Sequence, residues 1–307
     1  MALSTTGPKS YLIIDAGGTS LKSAILTEDG SVLGKSPFST PASSGGTRQE
    51  ITNAYNKIVL HALAFAEKNK TALCGIGIAT PGPFDYENGV PLMTHKFQEI
   101  YGVSLRQMIY RIPGVPGHLP IGFIHDANAV LAGEMWKGNA QGYPNTAVVT
   151  LGTGIGFAFS KNNVFQCNDM GGPLVSIFKQ PYQEGILEDY VSKRGILKIY
   201  QLMSGIAETK GIEVASIAKW AGDGDKTSIL TFSEVGKILA SALENILNEN
   251  NIQCLLFGGQ ISRSFHLMED AVVQGLKGVK SLQHISAVKS IDNAALFGAL
   301  LNLKLSL

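Results

Sequence analysis

The first apolar stretch is short and unbroken, Tyr11-Leu12-Ile13-Ile14, closed by Asp15 and stopped at Ala16-Gly17-Gly18-Thr19. A run of this kind predicts a buried strand ending in a glycine turn. Apolar/polar alternation then resumes through Leu26 and breaks at Glu28-Asp29-Gly30, with a third strand beginning at Val32. The same order of events returns far downstream. Ala147-Val148-Val149-Thr150-Leu151 runs into Gly152-Thr153-Gly154-Ile155-Gly156, continues from Phe157 to Ser160, and turns at Asn162-Asn163. Two glycine-tipped hairpins, each opening a half of similar size, are the mark of an internal duplication.

Between the hairpins the pattern predicts an amphipathic helix over Gln49–Asn69, a strand over Leu73–Ile78 that breaks at Thr80-Pro81-Gly82-Pro83, and a helix over Ala127–Lys137. In the second half, helix-period apolar residues run over Leu187–Met203, Glu208–Ala221 and Ser233–Asn248, and a strand over Gln253–Phe257 ends at Gly258-Gly259. Asp292 is placed to cap a final helix through Leu301. Strands alternating with helices imply a mixed α/β class with largely buried sheets.

Composition narrows the functional classes. A chain of 307 residues, 45% hydrophobic and 16% charged, can bury one large core or two ordinary ones, and two domains are expected. Its formal net charge of +1, with no long basic run, disfavours a nucleic-acid partner. Cys74, Cys167 and Cys254 are too few and too scattered for a disulfide framework or a four-ligand zinc site, which fits reduced thiols in the cytoplasm. The first ten residues are polar and include Gly7 and Pro8, and nothing later approaches the roughly 20 apolar residues of a membrane span. The expectation is a cytoplasmic protein that is neither exported nor inserted in a membrane.

The glycine turns suggest chemistry. A phosphate tail needs many short donors converging on it, and backbone N–H groups in a tight glycine turn supply them with no side chain in the way. Gly17-Gly18-Thr19 and Gly152-Thr153-Gly154 both qualify. A strand follows each turn, whereas a P-loop or a dinucleotide fingerprint leads into a helix, so neither of those motifs is present. A single glycine turn is more often only a tight hairpin; two of them, each with a threonine, shift the balance. Asp15 at the first turn would repel phosphate unless a divalent cation stood between them, and Mg²⁺ resolves that conflict.

The order of these motifs resembles the ROK (repressor, open reading frame, kinase) sugar kinases of the actin-like ATPase superfamily, over nearly the whole chain. Asp15-Ala16-Gly17-Gly18-Thr19-Ser20-Leu21-Lys22 is similar to the family's first phosphate motif, and Gly75 to Asp85 to its glycine/proline signature containing Thr80 and Pro81. Asp126-Ala127-Asn128-Ala129, continuing to Gly133-Glu134, resembles the segment of the catalytic aspartate. Leu151 to Gly156 resembles the second phosphate motif, and Leu256 to Ser262 the adenosine motif with Gly258 and Gly259. The resemblance implies a duplicated actin-like ATPase (ribonuclease H-like) fold with two lobes and an inter-domain cleft. The smaller lobe is expected over residues 1–124 plus 292–307, and the larger over 125–291. It further implies Mg-ATP bound by Asp15, Gly17, Gly18, Thr19, Lys22, Gly152, Thr153 and Gly154, a sugar acceptor, and Asp126 as general base. Asp before Ala-Asn-Ala is by itself an ordinary helix start, and it is the flanking motifs that favour catalysis.

The chain also departs from the family. His125 stands where the family has a sugar-contacting Asn, and the zinc loop is not recognisable, so no zinc is expected. Laying the zinc-free form over Asn168-Asp169-Met170-Gly171-Gly172-Pro173 puts Met170 in place of a sugar-binding Glu and Pro173 in place of a His. Glu188, in a segment that recovers the family pattern, is then a candidate sugar contact, and Asp85 and Lys96 are further ones for an altered acceptor. The competing reading is a sugar- or nucleotide-binding regulator without catalysis. A DNA-binding repressor is disfavoured because only ten residues precede Tyr11. A homodimer is expected from the resemblance alone.

Overall fold

The computed structural model describes residues 7–306. Residues 1–6 of the polar N-terminal stretch lie outside the described part. The chain begins as an antiparallel set, β1 (Lys9–Ala16), β2 (Ser20–Leu26) and β3 (Val32–Pro41), followed by α1 (Arg48–Asn69) and β4 (Ala72–Thr80). A small hairpin, β5 (Phe84–Asp85) with β6 (Val90–Pro91), then α2 (Leu105–Tyr110), β7 (Ile121–His125) and α3 (Asp126–Lys137) complete this half. The second half carries β8 (Thr146–Leu151), β9 (Ile155–Lys161), β10 (Val164–Phe165) and a hairpin, β11 (Pro181–Tyr182) with β12 (Gly185–Ile186). Helices α4 (Glu188–Val191), α5 (Lys193–Ser204), α6 (Val214–Gly222) and α7 (Lys226–Glu249) follow, then β13 (Cys254–Gly258), α8 (Glu269–Gly275), β14 (His284–Ala287) and α9 (Ala294–Leu305).

The duplication is visible in strand order. One sheet runs β3-β2-β1-β4-β7 and the other β10-β9-β8-β13-β14. In each, an antiparallel meander is extended from its first strand by two parallel strands. Parallel strands are covered on both faces, which is why β4 and β13 read as near-continuous apolar runs.

The chain divides into two compact units. The first comprises the chain up to Lys137, the short segment Cys167–Pro173 and Asn293–Leu307; the second comprises Gly138–Gln166 and Leu174–Asp292. This differs from the expected boundary at residue 125. The reason is packing: α3 lies against α9, and glycines bring the two backbones together. A Cβ on Gly133 would press on the Ala294 carbonyl, and one on Gly298 on the Ala129 carbonyl. The first core gathers Leu12, Ile14, Ile51, Ile58, Ile76 and Ile78. The second gathers Val149, Leu151, Ile217, Leu239, Leu243 and Phe257.

Local signals explain most boundaries. Thr47 and Glu50 form a reciprocal capping box that starts α1, and Lys70 in the left-handed region ends it. The expected helix over Leu187–Met203 is instead two helices, because Ser192 is extended and the Lys193 N–H donates to the Gly152 carbonyl at 2.8 Å. Asp292 does not cap the final helix. It pairs with Arg263 at 2.6 Å, and Asn293 precedes α9 without a side-chain cap bond. Among the described residues no helix is long and apolar enough to cross a membrane.

Candidate functional site

In the first unit the glycine turn joins β1 to β2, closed by the Gly17 N–H donating to the Ser20 carbonyl at 3.0 Å. Antiparallel register sets Asp15 opposite Lys22, so the two side chains share a face of the sheet. Two neighbouring loops brace the turn. The Ala42 N–H donates to the Thr19 carbonyl at 3.0 Å, and the Ser44 hydroxyl donates to the Gly18 carbonyl. Lys96 lies across the turn's apex: a Cβ on Gly18 would stand 2.9 Å from its Cε and 3.4 Å from its Nζ.

Parallel pairing of β1, β4 and β7 brings three strand ends together, with Asp15 opposite Ala79 and Thr80 opposite His125. Asp126 follows at once as the first residue of α3. Its Oδ1 accepts the Ala127 N–H at 2.7 Å and lies 3.0 Å from His125 Nδ1. The same Ala127 N–H also approaches His125 Nδ1, at 3.1 Å, so the amide bridges the imidazole and the carboxylate. His125 meets Tyr86 edge-on at 5.9 Å, and the Tyr86 hydroxyl donates to the Thr80 carbonyl at 3.0 Å. Thr80, Pro81, Tyr86, His125 and Asp126 thus form a polar corner beside the glycine turn.

The two carboxylates are opposed in protonation. Burial, then repulsion from Asp126, pushes Asp15 up to about 6 despite the attraction of Lys22. Burial also acts to raise Asp126, but the His125 charge and hydrogen bond, the Ala127 amide and Lys96 together hold it below the usual carboxylate range. Asp126 is ionised at neutral pH. A strand-end carboxylate that resists ionisation because it is buried and another lies nearby is a setting a hard divalent cation would relieve, and oxygen donors suit Mg²⁺. Because Asp15's folded pKa lies above its unfolded one, the folded protein holds an extra proton between about pH 4 and 6. Stability from this group is fully present below that window and is lost as the pH rises through 6. Asp15→Asn is therefore expected to be more stable than the wild type at pH 8 by about 3 kcal/mol, the two converging near pH 4. Thermal unfolding without nucleotide or metal checks this; a difference independent of pH would contradict it.

In the second unit, the Gly152 N–H donates to the Gly154 carbonyl at 3.0 Å, forming the turn that contains Thr153. Glu188 props this turn. Its Oε2 accepts the Ile155 N–H at 3.2 Å, and its Oε1 pairs with Arg194 at 3.2 Å. A Cβ on Gly154 would stand 2.5 Å from Oε2, so a side chain there would displace the Glu188 carboxylate from the turn. Gly258 ends β13 opposite Thr150, and Gly259 turns with φ +81°, its Cα against the backbone of Leu151. The expected adenosine motif and the second phosphate turn therefore adjoin in one unit.

The sequence model of the ROK family matches residues 11–304. The chain belongs to the ROK family. A glucokinase of Halalkalibacterium halodurans is 28% identical over 279 residues, covering 83% of this chain and 81% of its relative. Among solved structures, the ROK-family glucokinase from Streptomyces griseus in complex with glucose and AMPPNP superposes with a TM-score of 0.78 at 20% identity, covering 95% of this chain and 98% of that one. A ROK-family transcriptional regulator, a homologue of the Escherichia coli MLC protein, superposes with a TM-score of 0.82 at 18% identity, covering 97% of this chain and 78% of that one. The ROK fold is thus shared by chains named for catalysis and for regulation, and the fold of this chain is the duplicated actin-like ATPase fold.

Within the ROK framework the expected residues fall into two groups. Asp15, Gly17, Gly18, Thr19, Lys22, Thr80, Pro81, His125 and Asp126 lie in the first unit, and Gly152, Thr153, Gly154, Glu188, Gly258 and Gly259 in the second. Cys167–Pro173 joins the first unit despite its place in the chain. Its Met170 carbonyl accepts the Tyr86 N–H at 3.0 Å, and Cys167 and Asn128 are in contact at 3.4 Å. Met170 is exposed, and Pro173 pairs with Cys167 across a bridge. Among the described residues no three His, Cys, Asp or Glu side chains gather as a metal site. Sequence reasoning missed Ser44, Tyr86 and Asn128, whose partners lie in distant segments and leave no periodic signal.

Proposed function

We propose that this chain is an ATP-dependent sugar kinase that transfers the γ-phosphoryl group of Mg-ATP to a sugar hydroxyl. The observation carrying this reading is the placement of Asp126, directly after β7, at the strand ends where Asp15 and the first glycine turn also lie. Asp126 accepts the proton of the attacking hydroxyl while that oxygen bonds to the γ-phosphorus and the bond to the β-phosphate oxygen breaks, releasing ADP. His125, its Nδ1 3.0 Å from Asp126 Oδ1, flanks the accepting carboxylate and helps hold it in place. Thr80, Pro81 and His125 border the sugar; Gly18, Thr19, Thr153 and Gly154 offer backbone donors to phosphate, while Gly17 and Gly152 close the two turns with their own N–H groups. Lys22 and Asp15 stand at the phosphate side, Asp15 as the carboxylate that would hold Mg²⁺, which neutralises phosphate charge when bound. Gly258 and Gly259 adjoin the second turn, as an adenosine-side element would.

Membership of the ROK family and the likeness to glucokinases support the sugar as acceptor class. His125, Met170 and Pro173 at altered sugar positions favour an acceptor other than a plain hexose, or a regulator that binds without turnover. The deciding experiment is ADP release from Mg-ATP across hexoses, amino sugars, acylated amino sugars and β-glucosides. Release that depends on one class establishes the kinase and its acceptor; nucleotide binding with no turnover on any sugar supports the regulator.

A further inference from the structure

Lys96 is a cation with no carboxylate in salt-bridge reach among the described residues, yet its side chain is not left free in solvent. It is half-buried, in the loop between β6 and a short 3₁₀ turn, Gln98–Ile100. The loop is fixed on both sides. Phe97, next in the chain, is a fully buried anchor in the left-handed region at φ 53°, a backbone state that bulky residues adopt rarely and that tertiary packing must enforce. Its N–H donates to the Ser44 carbonyl at 2.6 Å, and the Ser44 hydroxyl donates to the Gly18 carbonyl. One hydrogen-bonded relay therefore ties the first glycine turn, the Ser44 loop and the Lys96 loop together. The relay sets the lysine tail over Gly18, the one residue type whose lack of a Cβ leaves room for it.

We propose that Lys96 is the phosphoryl-side cation of the reaction: its ammonium, held over the Gly17-Gly18-Thr19 turn, contacts the γ-phosphoryl group as it moves towards the hydroxyl deprotonated by Asp126. This rests on the kinase reading and gives Lys96 a role distinct from sugar contact. A fixed positive charge there meets negative charge that spreads over the equatorial oxygens in the transition state, without reorganising solvent. The step needs no further reactant, since the proton goes to Asp126 and the β-phosphate leaves with its electron pair as ADP. Lysine is suited to the place as a compact point charge, whereas the Ser44 relay and Phe97 supply the rigidity its flexible stem lacks.

The test compares Lys96→Met and Lys96→Arg with the wild type, measuring kcat, both KM values and, without sugar, the affinities for ATP and ADP. Lys96→Met is expected to lower kcat by roughly 10²–10³-fold, with sugar KM unchanged and Lys96→Arg recovering part of the rate. ATP affinity is expected to weaken about tenfold while ADP affinity is retained, because only ATP carries the contacted group. A raised sugar KM at unchanged kcat, or equal weakening of ATP and ADP, would overturn the assignment. If the wild type turns over no sugar, the kinase reading fails by itself, and the ATP-against-ADP comparison still decides whether Lys96 meets the γ-phosphate. Equal thermal midpoints for all three proteins exclude misfolding as the cause.

Discussion

Asp126→Asn is expected to lower sugar-dependent ADP release by roughly 10²–10⁴-fold, the usual contribution of a positioned general base. The amide keeps the size of the carboxylate and can still accept the Ala127 N–H that Asp126 Oδ1 takes at 2.7 Å, so fold and nucleotide binding are expected to survive. What is lost is the negative oxygen that receives the hydroxyl proton. The alternative role, a helix start, predicts the reverse: a less stable protein with little change in rate. Steady-state kinetics and thermal unfolding on the same preparation separate the two. Because His125 and the Ala127 amide hold Asp126 below the usual carboxylate range, its base form persists into mildly acidic solution. The rate is accordingly expected to lose no activity through Asp126 between pH 8 and 5; an acid limb that vanishes with Asp126→Asn and lies above the normal carboxylate range would contradict this assignment.

Gly298→Ala is expected to be the most damaging small change in the first unit, costing about 3 kcal/mol or more. The added methyl would run into the backbone of Ala129, and its partner is a helix that cannot yield as a side chain does. The thermal midpoint should fall on the order of 10 °C. Gly222→Ala is the control. It lies at the end of α6 with open space around a Cβ, and the substitution should be neutral or stabilising by about 0.5–1 kcal/mol, since alanine loses less entropy in a helix. A wild-type midpoint for Gly298→Ala would show that α3 and α9 can separate without cost, contrary to the packing described.

The close approach of α3 and α9 also marks where sequence reading runs out. Gly133 and Gly298 are unremarkable in a string of letters; only the crossing of two helices from distant parts of the chain makes their missing Cβ matter. The same holds for Asp292, which has the composition of a helix cap and is drawn instead to Arg263. Glu188 follows the family pattern, yet the glycine turn it supports comes from residues more than thirty positions earlier. Lys96 could be read as one polar candidate among several because its distinction lies in the loops that hold it and in the glycine beneath it.

What the chain's own pattern determined is local or repeated. Short apolar runs closed by glycine turns fixed β1 and β8 as strands, since a two-residue alternation or a buried run tolerates few other states. The recurrence of that hairpin announced the duplicated sheets, and the turns at Gly17-Gly18 and Gly152-Thr153-Gly154 were legible from their spacing, whereas Asp126 by itself reads as a helix start and stood out only through the resemblance to the family. Tertiary structure alone decided charge and company. Asp15 and Asp126 are identical in isolation, and burial acts on both; they diverge because Asp15 faces the charge of Asp126, whereas Asp126 is held down by His125 and the Ala127 amide. Proton affinity depends on the field of neighbours and on lost solvent, and both arise from contacts between segments far apart in the chain.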